Sequence, residues 1–196
     1  MATKSASSSI QPPTSLPGRL NRLARPAVLA ALAALAALVA LFYLALFPGM
    51  IAASPALQQT GMLDTRLSYS PAAAYQALEV YGPAGRAQYA RTTTLLDFIF
   101  PVVYTLLLSL LAARGLARAF PGAPRMGWLA LQPLAALLFD WLENGCVLAL
   151  LLSYPRQLDG LAAAAGVFTL LKWISFAIAV LIAAGSLLAA RLRRQA

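Results

Sequence analysis

From residue 27 to residue 47 the chain is built of Ala, Leu and Val with a few aromatics, and it contains no charged residue. About 20 such residues, coiled at roughly 1.5 Å each, cross the hydrocarbon core of a bilayer. A soluble helix of that length would need a polar face, and this one has none. The feature recurs at about 94–113, 127–153 and 161–190. Composition agrees, because a chain that is 61% hydrophobic and 11% charged has too little polar surface for a soluble domain of this size. The expected fold is all-α: a four-helix transmembrane bundle with a short extracytoplasmic helix between helices 1 and 2.

The flanking charge sets the orientation. The segment 1–26, the connection between spans 2 and 3, and the tail 191–196 carry Lys4, Arg19, Arg22, Arg25, Arg114, Arg118, Arg125, Arg191, Arg193 and Arg194 and no acid. On the other side Arg66, Arg86, Arg91 and Arg156 are offset by Asp64, Glu79 and Asp159. Basic loops stay in the cytoplasm, so both termini are expected inside, in a bacterial inner (plasma) membrane. The net charge of +9 is thereby used in orienting helices, and nucleic acid is not an expected partner. Membrane lipids are, and a homo-oligomer is plausible for so small a bundle.

Three regions follow: a disordered basic tail at 1–26, a membrane domain at 27–190, and a basic tail at 191–196. The rival reading of the first apolar run as a secretory signal is disfavoured by its length and its long leading segment. The loop 48–91 has internal punctuation. Ser70-Pro71 is a helix start and Gly82-Pro83 an end, and a second helix is expected to run from Pro83 into span 2 without a break. Tyr69, Tyr75, Tyr81 and Tyr89 read as an interfacial belt. Pro101 and Pro133 read as kinks inside spans 2 and 3.

The absence of histidine removes histidine metal sites, haem ligation by His and Ser-His-Asp catalysis. A lone cysteine, Cys146, allows no internal disulfide. No cofactor and no metal site is expected. What remains is charge at membrane depth, where each charged side chain costs about 2.5–3.5 kcal/mol and so usually faces a bundle interior. Asp140, Glu143 and Asn144 share one helical face, and Thr169 and Lys172 share another on the next, antiparallel span. Counting residues from the short connecting loop puts Glu143 and Lys172 at one depth, so an ion pair from Lys172 to Glu143 or Asp140 is expected. Asp97, with Tyr104 two turns along, should stand nearer the outer surface than Glu143.

Three acids against one ammonium leave a surplus of negative charge. The candidate ligand- or ion-binding residues are therefore Asp97, Tyr104, Asp140, Glu143, Asn144 and Lys172, around a polar cavity between helices 2 to 4 that takes a small ligand, a cation or a proton. Two other readings stand beside this. One is a membrane enzyme doing acid–base chemistry on a lipid or isoprenoid with Asp97 and Glu143. The other is a structural or assembly protein whose buried charges only fix helix register. The first span, with its closely spaced alanines, is expected to support the site from outside.

The stretch 96–101 with Tyr104, and the stretch 140–144, resemble recurring motifs of small four-helix integral membrane proteins to which no activity is attached. In layout the chain also resembles the sterol-binding membrane proteins of the emopamil-binding-protein class, which place acids, aromatics and an Asn in a helical cavity. That resemblance implies Asp97, Glu143 and Asn144 as site residues. The lack of histidine departs from the isomerases of that class.

Overall fold

The computed structural model describes residues 15–45 and 55–195. The expected tail up to residue 14, the end of the first span and the start of the following loop lie outside the described residues. All regular structure among the described residues is helical. In chain order it comprises α1 (Leu16–Leu23), α2 (Pro26–Ala45), α3 (Pro55–Thr60), α4 (Pro71–Thr92), α5 (Phe100–Ala119), α6 (Pro133–Ser153) and α7 (Asp159–Leu192). A 3-10 turn at Leu63–Thr65 precedes α4, a π-helical turn at Thr93–Asp97 joins α4 to α5, and a 3-10 segment at Pro124–Leu131 leads into α6.

Three helical stretches are long and apolar enough to cross a membrane: Pro71–Ala119, Pro124–Ser153 and Asp159–Leu192. A fourth would be the pair α1 and α2, bent by 82° at Ala24-Arg25. Large apolar side chains along these helices are exposed in rows, among them Leu35, Leu38 and Leu41 on α2 and Ile174, Ile178 and Leu181 on α7. Water would penalise such rows heavily, whereas lipid tails solvate them.

Several local expectations need correction. Residues 16–23, assigned from sequence to a disordered tail, form α1. Pro17 starts that helix, Leu20 packs against the end of α5, and Arg114 donates to the Ala24 carbonyl, so the basic flank is anchored. Pro133 stands at the start of α6 and not inside it. It cannot offer an N–H to the Leu129 carbonyl, which instead accepts from Gln132 at 3.2 Å, and the chain changes there from a 3-10 to an α-helix. The passage from α4 into α5 is also not seamless, since the π turn and a two-residue turn at Phe98-Ile99 intervene.

The loop side is a folded unit. Ser70 caps α4 by accepting from the Ala73 N–H at 3.2 Å. Gly82, at φ 61°, breaks the helix in a backbone region that side chains rarely tolerate, and Pro83 restarts it. Tyr69, Tyr75, Tyr81 and Tyr89 are all buried here, with Leu63, Leu78, Val147 and Leu150, so they do not form a headgroup belt. The hydroxyls of three of them explain the difference. Tyr81 donates to the Gly61 carbonyl (2.6 Å), Tyr89 donates to Asp64 Oδ1 (2.8 Å), and Tyr75 accepts from the Leu158 N–H. A loop folded onto a bundle has backbone groups to satisfy, and a ring with a polar tip fills the space and supplies the partner. A second apolar cluster, around Ala112, Ala113, Leu116 and Ala183, closes the opposite end. Between the two clusters lies a layer of buried polar side chains.

Candidate functional site

The polar layer follows from the helix break. Pro101 has no N–H, so the carbonyl four residues earlier cannot be bonded in the helical manner. That carbonyl belongs to Asp97, and Asn144 Nδ2 donates to it at 2.8 Å. The next carbonyl, of Phe98, accepts from Trp141 Nε1 at 3.0 Å, while Val102 N–H turns to Ile99. Two side chains of α6 thus complete the broken backbone of the α4–α5 passage. Asn144 Nδ2 also reaches Asp140 Oδ1 (2.8 Å), and Tyr104 donates to Asp140 Oδ2 (3.0 Å). Asp97, Tyr104, Asp140 and Asn144 therefore form one connected group. The break brings the Asp97 carbonyl to the level of Asn144.

Glu143 points from α6 toward α7. It is fully buried, with Oε1 accepting from the Thr169 hydroxyl (2.6 Å) and Oε2 lying 2.5 Å from Lys172 Nζ. Of the two carboxylates open to it on sequence grounds, Lys172 takes Glu143. The ammonium also donates to the backbone carbonyl of Asp64 (3.1 Å), and its nitrogen lies 5.3 Å from the centre of the Trp173 ring.

A cavity of about 420 Å³ opens beside this group. Asp64, Asp97, Asp140 and Lys172 are among its lining residues, and Phe100, Tyr104, Trp173 and Phe176 bring aromatic rings to it. The rings meet edge to face, with centroids 5.6 Å apart for Phe100 and Tyr104 and 5.1 Å for Tyr104 and Phe176. Ala40 and Leu44 of α2 close another side, so the first apolar helix is a wall of the cavity and not merely its outer support. Of the six residues singled out from sequence, Asp97, Tyr104, Asp140 and Lys172 line the cavity, while Glu143 and Asn144 stand behind it.

Sequence reasoning missed Asp64. It counts there only as one acid of a loop, 108 residues from Lys172, and no spacing rule links the two. The loop reaches the site because Ser68 donates to the Gly166 carbonyl (2.9 Å) and Trp173 Nε1 to the Arg66 carbonyl (2.9 Å). Gly166 makes this possible: a Cβ there would fall 2.1 Å from the Tyr69 carbonyl oxygen. The Tyr69 hydroxyl is held above its ordinary pKa, first by burial and then by the negative charge of Glu143, and so stays protonated.

No family model, no curated protein and no solved structure matches the chain. The reading of the site consequently rests on its own geometry.

Proposed function

We propose that this chain is an integral membrane protein whose four-helix bundle, with both termini cytoplasmic, binds a small ligand, cation or proton in the cavity between α2, the α4–α5 passage, α6 and α7. In this reading α2 is the fourth span and α1 lies along the cytoplasmic surface, as the 82° bend between them would allow. The observation that carries the proposal is the cavity wall itself. Asp64, Asp97, Asp140 and Lys172 line it together with a set of aromatic rings, and Glu143 pairs with Lys172 from behind. A device for helix register would need the Lys172–Glu143 pair and no cavity. Acid–base catalysis by Asp97 and Glu143 is less well supported, because Glu143 forms no part of the wall and both its oxygens are engaged by α7.

Protein in lipid nanodiscs, screened by thermal unfolding against inorganic cations, organic ammonium ions, carboxylates and neutral apolar compounds, tests the proposal; a pH scan covers the proton. At least one class, or protonation, should stabilise the wild type and leave Asp140→Asn unaffected, while circular dichroism shows that variant helical. A wild type indifferent to every class and to pH would end the proposal.

A further inference from the structure

Away from the cavity, a groove of about 350 Å³ runs between α4 and α6. Ala90 and Arg91 of α4, Thr94 and Leu95 of the π turn, and Leu148 and Leu152 of α6 line it. It shares no lining residue with the cavity. We infer that this groove binds a phospholipid with an anionic headgroup, its phosphate on Arg91 and one acyl chain against the leucines. The inference rests on the membrane-spanning reading and not on any ligand of the cavity. The two ends of the groove differ. Arg91 is the last basic residue before Arg114, and Leu152 stands one residue from the end of α6, so both mark the border of the apolar spans. Leu95 and Leu148 each lie four residues further in, roughly one helical turn deeper. A cation at the rim with hydrocarbon beneath it complements a phospholipid from its phosphate downward.

Among the described residues the exposed Arg91 side chain makes no hydrogen bond, ion pair or ring contact. Arg86, five residues earlier, is by contrast engaged: it donates to the Leu78 carbonyl (2.8 Å), and its Cζ lies 4.0 Å from the centre of the Tyr154 ring. A guanidinium at a membrane border is matched well by a phosphate, whose oxygens accept its parallel N–H donors. The Thr94 hydroxyl is committed to the Ala90 carbonyl (2.9 Å), which leaves Arg91 as the side-chain donor for that phosphate. Leu95 and Leu152 are 64% and 71% exposed, so the open side of the groove is hydrocarbon and suits an acyl chain. A dissolved anion would gain the arginine and nothing from the leucines, whereas a phospholipid gains both. The lining holds no acid to receive a headgroup ammonium. A headgroup of net negative charge, as in phosphatidylglycerol, is therefore preferred over choline or ethanolamine.

The test uses the full chain in phosphatidylcholine nanodiscs, doped with phosphatidylglycerol or phosphatidylcholine spin-labelled on one acyl chain. Electron paramagnetic resonance reads the fraction of label immobilised on the protein. Labelled phosphatidylglycerol should associate about fivefold more strongly than labelled phosphatidylcholine, and Arg91→Gln should abolish that preference. Leu152→Trp, which fills the groove and keeps the charge, should also lower phosphatidylglycerol binding. Arg156→Gln, at an exposed arginine outside the groove, should change neither lipid. A preference that survives Arg91→Gln or Leu152→Trp, or that Arg156→Gln reduces as much, would overturn the site in favour of diffuse surface charge. Displacement of the label by inorganic phosphate would overturn it in favour of a dissolved anion. A dimer that Arg91→Gln dissociates would make the groove a contact between copies, and overturn it likewise. Each of those outcomes leaves the membrane-spanning reading in place. Immobilisation of neither lipid on any variant would remove both.

Discussion

One missing hydrogen atom, on the nitrogen of Pro101, organises much of the polar layer. It leaves the Asp97 carbonyl without a helical partner, and Asn144 supplies one. A buried carbonyl deprived of its donor costs about 1–3 kcal/mol, so Asn144→Ala should destabilise the folded protein by that amount in reversible unfolding in mixed micelles. The decisive comparison is in a Pro101→Ala background, where an N–H at position 101 can reach the same carbonyl. There the cost of Asn144→Ala should shrink; an undiminished cost would mean that Asn144 matters for Asp140 alone. The ion pair follows a different rule. Lys172→Met strands a fully buried Glu143 and should cost about 3–5 kcal/mol, while Glu143→Leu with Lys172→Met should recover most of it, since breaking a buried pair is worse than replacing it. A double-mutant cycle with no coupling would show that the two charges do not depend on each other.

At the scale of elements, the approach of the 61–69 loop to α7 depends on Gly166. Adding a Cβ at a point 2.1 Å from the Tyr69 carbonyl oxygen must push the loop away, and with it Asp64. Gly166→Ala should therefore raise hydrogen exchange across residues 61–69 while α6 and the body of α7 keep their protection; unchanged exchange would refute that account. The elements themselves differ in how legible they were. The three long apolar stretches, the Ser70 cap and the Gly82 break are local signals, each set by residues within a turn or two, and they can be read directly. The Lys172–Glu143 pair was legible too, because a short hairpin between antiparallel helices turns residue counting into depth. Asp64, the aromatic wall and the role of α2 were not. They depend on how a loop and a helix distant in sequence are laid against the bundle, which periodicity does not encode. The tyrosines misled for a related reason. A ring with a polar tip suits a headgroup belt and a buried loop equally well, and only the partners of its hydroxyl distinguish them.

For the whole molecule, the unequal ends make the orientation testable. At one end Arg114 donates to the Ala24 carbonyl and Arg193 to the Ala119 carbonyl (2.8 Å), so arginines are tied to the helix ends of α1 and α5. At the other end basic and acidic residues are mixed, and Leu67 projects from the loop with 73% of its surface exposed. Moving the arginine-rich end across a membrane would carry a large uncompensated charge, which is the physical basis for the proposal that it stays in the cytoplasm. In a Cys146→Ala background, Leu67→Cys should react with a membrane-impermeant maleimide in intact cells. Arg194→Cys, also exposed, should react only after the membrane is opened. Reaction at both positions from outside would refute the assignment of both ends to the cytoplasm. It would equally undo the cavity's orientation, because the loop carrying Asp64 and the tail carrying Arg194 sit at opposite ends of α7. Reaction at 67 alone places the cavity's Asp64 side toward the exterior, the side from which a water-borne ligand would enter.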